Sequence, residues 1–584
     1  MKSLGLLTLL IIGSTSVNAQ VSFTILEPAS ISGGYEFTNN GDAPDWGLAN
    51  LNNPADAVLD TVVIADDGTP GINAQGIPHA NEACSPLVND LTGKIALVYR
   101  YDGSSSNDCY IGTKVLNAQN AGAIGVIVVN REETVFAYGG TTDGPSTNIP
   151  FAFISKSDGA LIRDKIDNGE DVVAFIGNKL GLYDDDAGIV KNQTLVSTLG
   201  ATASQTSLSG TEFEFDIGTK IYNYGVNTQS NIMLTATLDG PGGNYSETVG
   251  PFTIDQGDSI DVFTGGTNNI PAFSFATYPD GVYNLKYEVD LGIPDESSFD
   301  NTLEYSFVIA DSIVSYCNID TLTNLPKPNM YSRSVDPIFS SCMVYRDANA
   351  SRLGAEGIYF SITTSWDSSL DLEGEFVTAY LFEWDDNFVD VNDANFAFGS
   401  LTNIAEGEYY FESGEDSVSV LASFNTPVVF DDNQRYLACV EVWNEDIWLG
   451  YNNRIDYNRN IDHYLQPLVP TVSSGTYYWI GFATDMVPAI ALKVFDAAEL
   501  TIDENEELSL SIFPNPARNE LNINSANITN GLYKIYDLTG RLLTVSPIAG
   551  VTNTIDISNL SSGHYIFSIT DENGLSSEKK FSKL

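Results

Sequence analysis

The sequence predicts a multidomain, mainly β protein, with one α/β domain followed by three β-sandwiches. Its 584 residues exceed the roughly 250–300 that a single core organises. Residues 93–130 carry a strand, helix, strand pattern, and most of the chain after about residue 195 alternates apolar with polar residues between Gly- and Asn-rich turns. A period of two residues is typical of strands that bury one face.

The first 19 residues are predicted to be a secretory signal peptide. Lys2 precedes the apolar run Leu6 to Ile12, and the small-residue signal Val17-Asn-Ala19 places cleavage between Ala19 and Gln20. The run is shorter than the ~20 apolar residues that span a bilayer. The longest later run, 121–129, also falls far short of that length, so we expect an exported chain with no transmembrane segment.

The net charge of −51 comes from 77 acidic and 26 basic residues. A field of this sign repels phosphate backbones, so we expect no nucleic-acid partner. A solvated surface is the ordinary explanation, and calcium binding is the alternative. Its candidate ligands form one acidic loop without the glycine of an EF-hand: Asp385, Asp386, Asp390 and Asp393. We expect no other metal ligand and no cofactor.

Residues 20–190 are predicted to form the α/β domain. The elements expected there are strands at 62–65, 94–99, 124–129, 149–154 and 171–176 and helices at 114–121 and 157–168. Ser157 is the expected N-cap of the second helix, and Gly122 and Gly169 are expected to stop the two helices. The strands flanking the first helix should be parallel and buried on both faces, because they are apolar throughout.

The amino-acid sequence of this domain resembles that of the protease-associated (PA) domain. The matching segments are Gly93-Lys-Ile-Ala-Leu-Val-Tyr99, 114–130, Ile149-Pro150, Phe153-Ile-Ser155 and Asp158-Gly-Ala-Leu161. The resemblance implies a non-catalytic module that recognises peptide or protein. Many PA domains pair cysteines placed as Cys84 and Cys109 are, which implies a disulfide. One departure is the polar loop 101–108, which is longer than the family's usual link.

Five cysteines in an exported chain suggest disulfides and one spare thiol. Cys342 and Cys439 lie in strand-like runs, whereas Cys317 lies near a domain junction, so we favour a Cys342–Cys439 pair.

Residues 195–312 and 313–500 are predicted to be two sandwiches of different composition. In the first, apolar residues alternate with polar ones at Phe213, Phe215 and Ile217 and again at 283–289. Its segment Asp300-Asn-Thr-Leu303 resembles bacterial adhesion-type Ig-like modules. The second, predicted to be jelly-roll-like, holds five of the six tryptophans: Trp366, Trp384, Trp443, Trp448 and Trp479. Core packing explains such aromatics more often than ligand binding, although exposed Trp and Tyr also bind sugars and peptides.

After an acidic linker at 501–507, residues 508–584 are predicted to form a small sandwich, and they contain five sequence motifs. These are Ser511-Ile-Phe-Pro-Asn-Pro-Ala-Arg518, Leu521-Asn-Ile523, Tyr536-Asp-Leu-Thr-Gly-Arg541, Leu560-Ser-Ser-Gly-His-Tyr565 and Lys579-Lys-Phe-Ser-Lys-Leu584. In this order they resemble the type A C-terminal sorting domain of the type IX secretion system. The resemblance implies that the secretion machinery is a partner. The expected location is outside the cell or on its outer surface, reached through the periplasm.

No catalytic residue is assigned. The three histidines, His79, His463 and His564, lie in three predicted domains, and His79 is expected to be solvated. A zinc peptidase needs imidazoles at close spacing, and no Gly-x-Ser-x-Gly elbow is present. A pair of carboxylates for glycan hydrolysis is not rejected by the sequence.

The leading hypothesis is therefore a secreted or cell-surface binding protein that uses its PA domain to recognise peptide or protein. The alternatives are a glycan-binding or glycan-degrading protein with its site in 313–500, or an accessory subunit of a secreted peptidase.

Deletion of all residues after Glu507 should leave a folded protein in the periplasm, because the signal peptide still directs the first membrane crossing. Few contacts are expected to cross the polar linker. Immunoblots of periplasm and culture medium measure the outcome, with the full chain as control. Full yield of the truncated protein in the medium would contradict the secretion hypothesis.

Overall fold

The computed structural model describes residues 21–39, 45–100, 109–133, 135, 139–334, 336–364, 370–385, 387–499, 510–525, 530–571 and 576–584. The predicted cleavage pair Ala19 and Gln20, the loop 101–108, Trp366, Asp386 and the linker 501–507 lie outside these residues. The chain forms two compact units, Met1–Phe495 and Asp496–Leu584. Within the described ranges, no helix is long and apolar enough to cross a membrane.

The first unit begins with a seven-stranded mixed sheet. Its strands are β1 (Val21–Glu27), β2 (Gly33–Tyr35), β3 (Val58–Ile64), β4 (Ile95–Tyr99), β5 (Gly125–Val129), β6 (Phe151–Ile154) and β7 (Val173–Asn178), in the order β2-β1-β7-β3-β4-β5-β6. Strands β3 to β6 are parallel, and β7 and β1 are antiparallel to their neighbours. Every residue of β4 and β5 is buried, which confirms the predicted two-sided burial.

Two helices, α1 (Ile111–Asn120) and α2 (Lys156–Asp167), follow β4 and β6. Gly122 and Gly169 adopt positive φ angles of 92° and 81°, as expected of helix stops. The predicted N-cap Ser157 is wrong, because Ser155 caps α2 instead. The Ser155 hydroxyl oxygen accepts a hydrogen bond from the Asp158 backbone N–H at 3.1 Å.

Two packed sheets follow the α/β domain. The first holds β8 (Ala187–Thr194), β10 (Gly218–Asn223) and β13 (Ser259–Phe263). The second holds β9 (Ala201–Ala203), β11 (Gln229–Gly240), β12 (Gly243–Ile254), β14 (Gly281–Asp290) and β15 (Thr302–Ala310). The strand expected at 283–289 is confirmed as β14. The strand expected at 213–217 is wrong: Phe213, Phe215 and Ile217 are buried, but they lie in an irregular segment that fills the space between the sheets.

A second sandwich follows with two larger sheets and a two-stranded ribbon. Its first strands are β16 (Ile313–Val314), β17 (Ile319–Asp320), β18 (Leu325–Pro326), β19 (Met330–Ser332), β20 (Phe339–Tyr345), β21 (Leu353–Thr364), β22 (Phe376–Trp384) and β23 (Leu401–Tyr410). The remaining strands are β24 (Ser419–Val429), β25 (Arg435–Val442), β26 (Ile447–Asn452), β27 (Thr471–Ser473), β28 (Thr476–Tyr478), β29 (Val487–Pro488) and β30 (Ala491–Asp496). One sheet runs β23-β22-β25-β20-β27-β28, and the facing sheet runs β16-β30-β21-β26-β19, with β24 on β21 and β29 on β26.

The two sandwiches share one apolar core. Buried side chains of β11 and β14 belong to the same cluster as those of β20, β21 and β25. Helix α3 (Asn458–Tyr464) adds a polar link, since the Asn460 side chain exchanges hydrogen bonds with the backbone N–H and C=O of Val196 at 3.1 and 2.9 Å. The boundary at 312/313 stays a prediction.

The second unit is a small sandwich of two sheets. Strands β31 (Leu510–Phe513), β32 (Glu520–Ser525) and β35 (Thr552–Asp556) form one sheet. Strands β33 (Asn530–Asp537), β34 (Leu542–Ala549), β36 (Gly563–Asp571) and β37 (Ser576–Lys583) form the other. Leu521, Ile523, Phe567 and Phe581 are buried between them. The mainly β, multidomain fold class is confirmed.

Both expected disulfides are present. Cys84 and Cys109 are bonded with a Cα–Cα distance of 5.5 Å, and Cys342 of β20 is bonded to its cross-strand neighbour Cys439 of β25. Cys317 is a buried free thiol, and burial raises its pKa to about 12.

Replacing Cys84 and Cys109 together with Ser should lower the free energy of unfolding by about 3.5 kcal/mol, because the crosslink closes a 25-residue separation. The sheet remains, so the variant should still fold. Urea unfolding under non-reducing conditions measures the difference from the oxidised wild-type protein, which keeps the same Cys342–Cys439 bond. Peptide mapping that recovers both cysteines as free thiols would contradict the pairing.

Candidate binding groove at the carboxyl edge of the parallel sheet

The parallel strands β3 to β6 end along one edge of the sheet of the α/β domain. Tyr99 ends β4, Val129 ends β5, and Lys156 begins α2 directly after β6. Ligands of open α/β sheets bind outside the carboxyl ends of the strands, where loop residues from several strands meet.

A groove of about 350 Å³ lies at this edge. Its floor is formed by Tyr99, Val129 and Asn130, all at least nine-tenths buried. One wall is the α2 face with Lys156, Ala160 and Arg163, and the other is the segment with Gln75 and Ile77. The volume falls within the roughly 300–1,000 Å³ of small-ligand pockets.

The wall at residues 75–77 is held by side-chain hydrogen bonds. The Asn73 amide oxygen accepts from the backbone N–H groups of Gln75 and Ile77, both at 3.0 Å. The Asn73 amide nitrogen donates to Glu82 at 3.0 Å, and the Gln75 amide donates to the Arg131 carbonyl at 3.0 Å. The wall is therefore positioned before any ligand arrives.

Tyr99 lines the groove, but its neutral hydroxyl is buried. Its side chain is 5% exposed, and no hydrogen bond of acceptable geometry reaches its hydroxyl oxygen within the described ranges. Burial raises the pKa of Tyr99, although the nearby Arg163 guanidinium, 5.4 Å from the ring centroid, opposes that shift. Tyr99 therefore offers a ligand the surface of its ring rather than its hydroxyl.

Basic side chains gather around the groove in a strongly acidic protein. Arg163 donates to Asn81 at 3.0 Å and to Asp167 at 3.1 Å, and Lys156 is exposed at the start of α2. Behind the floor, Arg100 donates to Asn130 at 3.0 Å, and Arg131 pairs with Glu132 at 3.1 Å. The groove thus combines apolar and polar side chains, which suits a polar chain such as a peptide backbone.

A smaller cavity of about 270 Å³ lies beside the Cys84–Cys109 disulfide. His79 lines it with its ring 3.3 Å from Glu82 and only 17% exposed, so the expectation that His79 is solvated is wrong. The Glu82 carboxylate that contacts the His79 ring is itself buried. His463 pairs with Asp216 at 2.7 Å, and His564 lies 2.9 Å from the Ser582 hydroxyl.

A third cavity, about 510 Å³ in volume, opens on the second sandwich. Exposed aromatic rings line or flank it: Trp443 is 46% exposed, Phe376 is 37% exposed, and Tyr410 lies 5.7 Å from the Phe376 ring centroid. Three carboxylates line it: Glu375, Glu445 and Asp446. Trp384, by contrast, is completely buried against Phe388 and Phe398.

The predicted calcium ligands are engaged in local turns. Asp390 accepts from the Asn392 N–H at 2.8 Å, and Asp393 accepts from the N–H groups of Asn395 and Val389 at 3.0 and 3.1 Å. Asp385 is exposed, and Asp386 lies outside the described residues. No group of three or more His, Cys, Asp or Glu side chains with metal-site geometry occurs in the part of the chain that the structure describes.

Comparison with known families assigns two parts of the chain, one near each end. Residues 58–162 match the PA domain, and residues 511–583 match the secretion system C-terminal sorting domain. The protein therefore carries a PA domain and a type IX sorting domain. The sorting domain indicates secretion to the cell surface or outside.

Similarity to individual proteins is confined to short segments. ER degradation-enhancing alpha-mannosidase-like protein 3 is 34% identical over 109 residues in Homo sapiens and 32% identical over 122 residues in Xenopus laevis. These matches cover 17% and 19% of this chain and 11% and 12% of those proteins.

Among solved structures, an aminopeptidase from Aneurinibacillus sp. strain AM-1 matches 27% of this chain and 30% of its own at 21% identity, with a TM-score of 0.18. A β-glucuronidase from Ruminococcus gnavus matches 42% of this chain and 36% of its own at 11% identity, with a TM-score of 0.11.

Proposed function

We propose that this secreted protein is a non-catalytic binding protein whose PA domain recognises peptide or protein segments in the groove at the carboxyl edge of its parallel sheet. The observation that carries the proposal is the preformed groove, in which the apolar side chain of Val129 lies beside the polar side chains of Gln75 and Arg163. An accessory role beside a secreted peptidase would use the same groove.

The groove suits an extended chain better than a compact charged ligand. Its rim carries Lys156 and Arg163 together with Asp164 and Asp167, so the two charge types nearly balance. Peptide N–H and C=O groups pair with such mixed donors and acceptors without burying net charge. Val129 on the floor and Ile77 on the wall offer a position for a small apolar side chain.

Replacing Ala160 with Trp should fill the groove and weaken peptide binding at least tenfold, because Ala160 lies on its α2 wall and is exposed. Leu161→Trp is the matched control, since Leu161 is 49% exposed on the same helix but does not line the groove. The measurement is enrichment from a displayed library of random peptides, followed by fluorescence titration with an enriched peptide.

Retained binding in Leu161→Trp and loss in Ala160→Trp would support the groove. Failure of the wild-type protein to enrich any sequence, or equal binding by both variants, would overturn the proposal.

The aromatic cavity of the second sandwich favours a second candidate function, glycan binding. Exposed aromatic rings stack against sugar rings, and adjacent carboxylates accept hydrogen bonds from sugar hydroxyls. The loop that carries Trp443 is fixed, since Arg333 donates to the carbonyls of Asn444 and Ile447.

Trp443→Ala should reduce retention on a polysaccharide roughly tenfold, the loss of about 1.4 kcal/mol expected when one stacking ring is removed. Affinity electrophoresis in gels containing xylan, glucan or mannan measures retention. Tyr478→Ala is the control, because Tyr478 is 52% exposed but does not line the cavity. If the wild-type protein is retained on none of the three polymers, binding of xylan, glucan and mannan is excluded.

A further inference from the structure

Lys179 is buried between two carboxylates at the junction of the α/β domain and the first sandwich. Its Nζ lies 2.8 Å from Asp300 Oδ2 and 3.0 Å from Asp186 Oδ1. The Lys179 and Asp186 side chains are 2% and 0% exposed, and Asp300 is 15% exposed. By comparison, the Lys94–Asp60 pair at 2.7 Å is more than a third exposed on both sides.

The cluster is surrounded by aromatic rings and is incompletely hydrogen-bonded. The ammonium lies 4.2 Å from the Tyr224 ring centroid and 5.2 Å from that of Phe299. Asp186 Oδ2, Asp300 Oδ1 and the Tyr224 hydroxyl have no hydrogen-bond partner within the described ranges. Burying one cation with two carboxylates is unfavourable unless every oxygen is satisfied. A salt bridge alone therefore explains this arrangement poorly.

The two carboxylates are held beside Lys179 by hydrogen bonds of the chain segments that carry them. The Asp186 carbonyl accepts from the N–H groups of Tyr224 and Gly225 at 2.9 and 3.0 Å. The loop before Asp300 is fixed through Asp295, whose carboxylate accepts from the Ala187 N–H at 3.1 Å. Any side chain at Gly188 would overlap the Asp300 carboxylate, so only glycine permits this approach.

We propose that Lys179 and Asp300 condense into an intramolecular isopeptide bond, with Asp186 as the proton carrier. The ammonium first passes a proton to the Asp300 carboxylate, which leaves a neutral amine beside a neutral acid. The amine nitrogen attacks Asp300 Cγ and forms the N–C bond. Asp186 takes a proton from that nitrogen and returns it to the departing hydroxyl. The C–O bond breaks and one water molecule leaves.

The balance is one ammonium and one carboxylate converted to one amide and one water, with Asp186 regenerated. No oxidant, cofactor or energy source is consumed. Holding the two groups in contact supplies the proximity that an intermolecular amide condensation lacks.

The protonation states of the cluster are compatible with this step. Burial raises the pKa of Asp186 to about 7 even though the Lys179 ammonium opposes the shift, and burial also raises the pKa of Asp300. Burial favours the neutral amine of Lys179, but the two carboxylates hold its pKa above its ordinary value. Proton transfer inside the cluster is therefore the step that frees the nucleophile.

The bond would fasten the last strand of the α/β domain to the loop before β15 of the first sandwich. Phe299 of that loop already packs on Gly34 of β2. An amide at this position resists pulling and proteolysis, which a protein outside the cell encounters.

Mass spectrometry of the reduced full chain tests the proposal. We expect a mass lower than that of the sequence by one water molecule, and a proteolytic fragment in which the Lys179 and Asp300 peptides are joined. Trypsin should cleave after Lys94, whose exposed ion pair to Asp60 stays uncondensed, but not after Lys179. A full mass with separate peptides would overturn the proposal, and this result does not depend on any variant.

Two variants locate the bond and one tests the proton carrier. Lys179→Arg and Asp300→Ala should each recover the full mass of their own sequences. Asp186→Asn retains both bonding partners, so we expect the crosslinked fraction to fall at least tenfold while far-UV circular dichroism stays that of the wild type. Complete crosslinking in Asp186→Asn would overturn its role as proton carrier.

Discussion

Burial of strands β4 and β5 on both faces is the constraint on which the α/β domain depends. Every residue of Ile95–Tyr99 and Gly125–Val129 is buried, so both faces of the sheet must be covered. Helix α1 crosses between these parallel strands, and α2 follows β6. Parallel strands leave their carboxyl ends along one edge, and the polar groups that cannot enter the sheet collect there. The groove is a consequence of this arrangement.

Five of the 26 basic residues are buried inside the protein. Against a net charge of −51, several of the 26 Lys and Arg side chains are at least nine-tenths buried: Arg100, Lys114, Arg131, Lys179 and Arg435. Lys114 donates to the Glu82 carbonyl at 2.6 Å, and Arg435 lies over the Phe388 ring at 4.1 Å. Buried cations need fixed acceptors. The acidic excess therefore lies on the surface, and the cations hold loops to the core.

Local patterns predicted the elements better than their edges. The alternation at Tyr283, Leu285 and Tyr287 identified β14 correctly, because one face of that strand is buried. The same alternation at Phe213 and Phe215 failed, since an irregular segment can also bury every second side chain. The N-cap of α2 was misplaced by two residues because Ser155 and Ser157 are equivalent until the helix axis is known.

The sequence by itself determined the compartment, the fold class and the two end modules, since each depends on neighbouring residues or on an ordered set of short motifs. It also indicated both cysteine pairs. Only the tertiary structure decided that Trp443 is exposed whereas Trp384 is buried, that His79 contacts Glu82, and that Lys179 contacts Asp300 across 121 positions. Such contacts follow from how sheets and loops pack, and periodicity along the chain carries no information about partners so distant in sequence.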